Sequence, residues 1–424
     1  MTERSYAMAP RTVQSTTSYA SMGSPDGLRE VLLTSRRAVG LTQEGLSERS
    51  GVSVRTIRNL EAGTITSPRE RTTELLLEAL NVGSPLWGPA RLQRRPGAGG
   101  QNRLVGRDRD LEHLDRALQR SRVVVLTGPG GVGKTCLATE FGDRAFGAFQ
   151  HGVLFAQVGI LPPDRPGEAA EGLVRAEIDA TLRKGLPESA QQADLLLIID
   201  NAEHVLGSTA QAVRSLLAEI PGVYIIVTSR RPLPLTLAQH WEVKPLAYDD
   251  PAMGQPGLPA AVELFLQRAE ASCPTLDLSG NMSSVANLCR RLDGLPFALE
   301  LAATRVRSVP IGTMLTEDSI SRVLGVADFN GLPHQGSLFD SVRWSYDLLT
   351  EEERAVLHQL TRFPGHFMFE EAQKSITDVG VPTADMLAAL VDSSLVQVVR
   401  RANYWYRLPN LVREFLDESA RCRA

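Results

Sequence analysis

An α/β core with a parallel sheet, preceded by a small all-α unit and followed by a mostly helical region, is the fold class the sequence predicts. Three observations carry it. Residues 123–127, 153–158, 195–200 and 223–228 are short apolar runs that alternate with helical patterns, as strands buried on both faces do. Gly128, Pro129, Gly130, Gly131, Val132, Gly133, Lys134 and Thr135 form a complete phosphate-binding loop between the first such run and a helical pattern at 136–141. Residues 25–82 carry helical periodicity with capping residues and no strand pattern.

In chain order, residues 1–24 are Ser/Thr-rich and read as a disordered tail, without the apolar stretch of a signal peptide. Within 25–82, Leu28, Val31, Leu32 and Val39 share a helical face, and Gly40 stops that helix. Thr42 caps a second helix over 43–50, Gly51 turns the chain, and Ser53 caps a third helix reaching Ala62. Ile57 and Leu60 face inward there, and a last helix over 68–80 buries Leu75, Leu76 and Leu80. Residues 83–102, rich in Pro, Gly and Arg, form a flexible linker. The parallel sheet occupies 103–246, a helical domain 247–310, and a last domain 311–424. The last domain holds a capping box at Thr350–Glu353 and a β-hairpin made by 395–399 and 404–408.

The loop chemistry is specific. Its glycines let backbone N–H groups wrap a polyphosphate, and the next helix N-terminus adds partial positive charge. Lys134 reaches the β/γ-phosphates, and Thr135 and Asp200, the latter closing an apolar strand, hold Mg²⁺. Arg230 ends the next strand, where a cation senses the terminal phosphate. Lys134, Asp200 and Arg230 are therefore the candidate catalytic set, with ATP or ADP and Mg²⁺ as cofactors.

From residue 103 to about 418 the chain resembles NB-ARC/STAND-type signal-transduction NTPases, especially those of bacterial transcriptional regulators. The resemblance rests on Val105-Gly106-Arg107, the phosphate loop, Asp200-Asn201-Ala202-Glu203-His204, Thr228-Ser229-Arg230 and the stretch from Gly294-Leu295-Pro296 to Ala303. Trp344-Ser345-Tyr346-Asp347-Leu348-Leu349 and Phe363-Pro364-Gly365 resemble the family's winged-helix region. The resemblance implies that Val105, Gly106 and Arg107 line the adenine side. It implies that 128–135 with Cys136 hold the nucleotide, and that Pro296 packs on it from the helical domain. Two departures matter. Asn201 stands where many relatives carry a second acid, so hydrolysis is expected to be slow, with Glu203 a possible substitute base. Pro409 stands where relatives carry a nucleotide-contacting His.

Residues 27–82 resemble the Xre/Cro-repressor helix-turn-helix family through Leu41-Thr42-Gln43-Glu44-Gly45-Leu46, Gly51–Ile57 and Leu60-Glu61-Ala62-Gly63. The resemblance implies a third helix in the major groove. Gln43, Ser53, Arg55, Thr56, Arg58 and Asn59 are its candidate DNA-contacting residues, and Arg36 or Arg37 pairs with Glu61.

Residues 1–103 hold 14 Lys and Arg against 9 Asp and Glu, while the whole chain is net −4, so the basic end favours a polyanion partner. The four cysteines show no metal-ligand or redox spacing, which fits free thiols in a cytoplasmic protein. No stretch is long enough to span a bilayer. The sequence thus predicts a cytoplasmic regulator that binds a double-stranded DNA operator, switches on ATP or ADP with slow hydrolysis, and self-associates in the ATP state. In the family a repeat array usually follows the winged helix as the sensor. This sequence stops at Ala424, so the expectation is that the sensor is absent, is supplied by another chain, or lies on a longer protein of which this is a fragment. The signal ligand or partner is not named by the sequence. Two alternatives are a P-loop phosphotransferase, and a defence or signalling scaffold whose head binds protein.

Overall fold

The computed structural model describes residues 36, 42–62, 72, 76, 104–161, 170–185, 193–249, 257–316, 320–324, 338–377, 380–400 and 404–421. The chain divides into two compact units, Met1–Gly88 and Pro89–Ala424. The expected tail and linker lie outside the described residues, as do all of the expected first helix but Arg36 and most of the helix expected over 68–80.

In the first unit, α1 (Gln43–Ser50) and α2 (Val54–Glu61) flank a tight turn. Thr42 accepts a hydrogen bond from the Gly45 N–H, and Ser53 accepts one from the Thr56 N–H, so both helices start at side-chain caps. Gly51 ends α1 at φ +68°, a left-handed conformation that a Cβ would strain. Leu46, Val52, Ile57, Leu60 and Leu76 are buried and form the core.

The second unit contains five parallel strands, β1 (Val123–Thr127), β2 (Val153–Gln157), β3 (Leu195–Asp200), β4 (Val223–Thr228) and β5 (Gln239–Glu242), in the order β2-β3-β4-β1-β5. Strand alternation divides their side chains between two layers. Val124, Leu126, Leu196, Ile198 and Ile226 pack against α3 (Asp108–Arg120) and α4 (Lys134–Ala145). Val123, Val125, Leu195, Leu197, Ile225 and Val227 pack against α5 (Ala170–Gly185) and α6 (Leu206–Glu219). Both faces are dry, which is why these strands read as unbroken apolar runs.

The parallel sheet differs from expectation in two respects. Val158 opens a short 3₁₀ turn and does not extend β2. The sheet also has the fifth strand, β5, whose half-exposed Gln239-His240-Trp241-Glu242 gives no apolar signal.

Helices α7 (Ala260–Ser272), α8 (Met282–Arg291), α9 (Pro296–Arg305), α10 (Ile311–Thr316) and α11 (Ile320–Leu324) join the first layer's core through Phe265, Leu288, Leu299 and Met314. Beyond them come α12 (Leu338–Asp347), α13 (Glu351–Leu360), β6 (His366–Met368), α14 (Phe369–Ser375), α15 (Thr383–Asp392), β7 (Gln397–Arg400), β8 (Tyr404–Arg407) and α16 (Asn410–Arg421). The expected capping box is formed: Glu353 N–H donates to Thr350 Oγ1, and Thr350 N–H donates to the Glu353 carboxylate.

The hairpin is part of a three-stranded antiparallel sheet, β6-β8-β7, around buried Phe367. Its first strand begins at Gln397, because the Leu395 and Val396 N–H groups both donate to the Leu390 carbonyl and finish α15 instead. Among the described residues no helix is long and apolar enough to cross a membrane.

Candidate nucleotide and nucleic-acid sites

The phosphate loop links β1 to α4 at the C-terminal edge of the sheet. Its Gly128, Gly131 and Gly133 take φ of +141°, +76° and +96°. Gly130 is needed for a different reason. A Cβ there would collide with Ser341 Oγ and stand 2.9 Å from the Arg230 guanidinium.

Lys134 opens α4, only 8% exposed, and its ammonium donates to the carbonyls of Gly128 at 2.8 Å and Pro129 at 3.0 Å. Burial pushes its pKa down to about 8. Thr135 donates to Asp200 Oδ1 at 2.7 Å, and Thr228 donates to the same oxygen at 2.5 Å. Burial raises the Asp200 pKa, and the two hydroxyls oppose that shift. The loop geometry and the Thr135–Asp200 pair fit a polyphosphate with a hard divalent cation, which takes oxygen ligands.

Asn201 sits at φ +61°, a conformation Asn tolerates better than most residues. Its side-chain amide donates to Asp200 Oδ2 at 3.0 Å, and its backbone N–H donates to Thr228 Oγ1 at 3.0 Å. Asn201 therefore orients the acid before it. Glu203 pairs with Arg230 at 3.1 Å, both deeply buried. A carboxylate held by a guanidinium is a poor proton acceptor.

Arg230 also donates to the Ser341 carbonyl and, at 2.8 Å, to Ser345 Oγ, both on α12. The expected sensor arginine is thus fixed to α12. Arg107 donates to the carbonyls of Val132 and Lys244, each at 2.7 Å, and pairs with Asp110. It braces the phosphate loop from behind. Val105 is half-buried, Gly106 lies against Ala260, and Cys136 is exposed on the first turn of α4. Pro296 starts α9, and the next residue, Phe297, donates its N–H to the Gly131 carbonyl at 3.2 Å.

Sequence reasoning missed Ser341 and the buttressing by Thr228, and it gave no role to Phe297, which lay inside the stretch from Gly294 to Ala303. Ser345 lay inside the motif Trp344–Leu349 but had no role assigned to it. Nothing in the sequence marks Ser341.

Asp293, just before Gly294-Leu295-Pro296, is fully buried at φ +53°. Arg407 Nη2 lies 3.3 Å from it, and the Leu411 N–H donates to its Oδ2 at 3.2 Å. It fastens β8 and α16 to the helical region. Burial pushes its pKa up to about 6, against the pull of Arg407 and the α16 N–H groups. The folded protein thus holds this proton more tightly than the unfolded chain, so folding takes up a proton between about pH 6 and 4. Wild-type stability should gain on that of Asp293→Asn as pH falls through this window, by on the order of 2 kcal/mol. Melting both proteins from pH 7 to 4 measures it, and parallel curves would refute the assignment.

In the first unit, Arg36 makes a two-pronged pair with Glu61 at 2.6 and 2.8 Å. Gln43 donates to the same carboxylate at 2.7 Å and accepts from Arg58 Nε at 3.4 Å. Arg55 and Arg58 are exposed on α2, with Thr56 and Asn59 half-exposed beside them. Ser53 and Thr56 share a hydroxyl–hydroxyl contact of 2.8 Å at the helix start. Gln43 therefore positions Arg58 in addition to any contact of its own.

The helix-turn-helix family model matches residues 33–87. The uncharacterized protein Rv0894 of Mycobacterium tuberculosis is 31% identical over 337 residues, 74% of this chain and 80% of that protein. Rv0890c of the same organism, which bears the name of an HTH-type transcriptional regulator, is 31% identical over 71% of this chain and 34% of its own length. The Walker-type ATPase of Pyrococcus abyssi superposes with a TM-score of 0.47 at 15% identity, covering 77% of this chain and 99% of that one.

Proposed function

This chain belongs to the same family as mycobacterial Rv0894, and from that premise we propose that it is a nucleotide-switched transcriptional regulator of the NB-ARC/STAND type. One observation carries the reading. A single chain joins a helix-turn-helix with outward-facing Arg55 and Arg58 to a phosphate loop whose Thr135 hydroxyl meets Asp200. The name borne by Rv0890c supports it.

In this reading residues 25–82 bind a double-stranded operator, 83–102 are a tether, and 103–246 hold ATP or ADP. Residues 247–310 and 311–424 close on the nucleotide. Lys134 and the loop N–H groups bind phosphates, and Thr135 and Asp200 hold Mg²⁺. Val105, Gly106, Arg107, Cys136 and Pro296 line the nucleotide. Bound ATP·Mg²⁺ supplies a third phosphate whose charge distinguishes it from ADP.

Arg230 is the residue positioned to respond, because it touches the loop at Gly130 while holding Ser341 and Ser345. A ligand shifts such an equilibrium only through different contacts in the two states. Hydrolysis is slow, since Asn201 lacks a carboxylate and Glu203 is spent on Arg230. The protein acts in the cytoplasm, and a signal ligand or sensor partner biases the switch.

One helix-turn-helix unit contacts little DNA, so pairing two heads raises avidity through effective concentration. A non-hydrolysable ATP analogue is expected to produce a larger species with tighter operator binding, and ADP is not. Light scattering with DNA titration at fixed salt measures both. Equal mass and equal affinity in the two nucleotides would remove the switch.

A further inference from the structure

Outside the nucleotide site, α8 and α16 enclose an open cleft of about 430 Å³ lined by Asn287, Arg290, Arg291, Asn410, Arg413 and Glu414. We propose that this cleft binds a small phosphate-bearing anion that clamps the winged-helix region onto the helical region.

The charge count favours an anion, with three guanidinium groups facing one carboxylate. Arg291 and Glu414 pair at 3.1 Å and offset each other, and Arg291 also donates to the carbonyls of Met314 and Leu315. Arg413 donates to the carbonyls of Thr361 at 2.6 Å and Phe363 at 2.5 Å. Among the described residues no carboxylate pairs with Arg413, so its charge is fixed in place without being neutralised. Arg290 donates to Asn287 Oδ1 at 2.7 Å. Among the described residues its ion pair is with Asp249 at 3.6 Å, and both side chains are more than half exposed, at 52% and 74%. Such a pair is screened and weak. The Asn410 amide donates to the Arg290 carbonyl at 3.0 Å, tying the two helices together at the cleft.

Planar guanidinium forks held in position suit the oxygens of a phosphate. The surroundings set its size. Asp249 stands beside Arg290, and Asp417 is exposed on α16, so an extended polyanion meets like charge where a compact one does not. Because the donors come from both helices, the ligand binds the docked arrangement better than a separated one and stabilises it by linkage. The cleft lies on the same seam as the Asp293–Arg407 contact. The anion therefore acts on the closure of the nucleotide site without entering it.

The test is calorimetric titration of inorganic pyrophosphate into the full chain carrying Lys134→Ala, which weakens competing binding at the phosphate loop. A pyrophosphate site is expected, weakened about tenfold or more when Arg290→Ala or Asn287→Asp is added. Both added changes are at exposed positions, and circular dichroism verifies the fold. No binding, or equal binding with and without these changes, overturns the proposal. Citrate binding as tightly as pyrophosphate overturns the phosphate class. The Arg290 and Asn287 comparison reads the cleft whether or not the phosphate loop binds nucleotide, so the two assignments fail separately.

Discussion

Lys134→Ala will lower ATP and ADP affinity by roughly a hundredfold or more, the loss expected when a buried charge-assisted contact worth about 3 kcal/mol disappears. The ammonium is held by two neutral carbonyls in a site that penalises its charge. A phosphate is the partner that relieves this penalty. The sign for the fold follows. A lysine whose folded pKa lies near 8, below its ordinary value near 10.4, destabilises the folded state fully below about pH 8 and less as pH rises toward 10.4. The alanine variant is therefore expected to melt no lower than wild type at pH 7. Nucleotide binding near pH 8 should also draw a fraction of a proton onto the wild-type protein. Calorimetry in two buffers of different protonation enthalpy reads affinity and proton uptake together. Unchanged affinity in the variant would sink the phosphate-loop assignment.

Arg55→Ala with Arg58→Ala will abolish selective DNA binding while leaving nucleotide affinity alone. Each lost two-pronged base contact costs about 1–3 kcal/mol and relaxes the preference at its base. Neither side chain contributes to the core, which rests on Leu46, Ile57 and Leu60, and the helix keeps its Ser53 cap. Gln43→Ala is expected to cost less, through loss of the contact that steadies Arg58. Binding of the variants to DNA selected from a random pool decides the matter. Wild-type affinity in the double variant would move recognition to another surface.

The legible parts of this chain are those where local chemistry leaves few alternatives. Strands β1, β3 and β4 announced themselves because both faces are buried, and the loop because only glycines allow its backbone. Caps at Thr42, Ser53 and Thr350 were readable from residue type and spacing alone. Edge strand β5 was not, since its polar, half-exposed residues pair on one side only and carry no period. Three-residue β6 was too short to leave a pattern. The site divides the same way. Lys134, Thr135 and Asp200 belong to one local motif each, and the structure brings Thr135 and Asp200 into contact. What Arg230 and Arg107 touch depends on elements far off in sequence, Ser341 and Ser345 for one and Val132 and Lys244 for the other. Asn201 looked like a missing acid, whereas its amide grips Asp200. No residue type or spacing in the sequence marks its left-handed backbone.

The strand order has a consequence in time. Val123 pairs with Ile225, and Val124 with Gln239, so both neighbours of β1 are translated about a hundred residues after it. At typical synthesis rates that interval is roughly 5–20 s. The helices of the first unit, with contacts confined to a short span, fold within far less than that. During the wait, Val123-Val124-Val125-Leu126 has no sheet to enter, and the loop that follows has no strand on either side to hold it. On the ribosome, then, the DNA reader matures while the phosphate loop is still unformed. The nascent chain carries a naked, strongly β-forming segment until residue 228 has emerged, and its second side stays open until residue 242 follows.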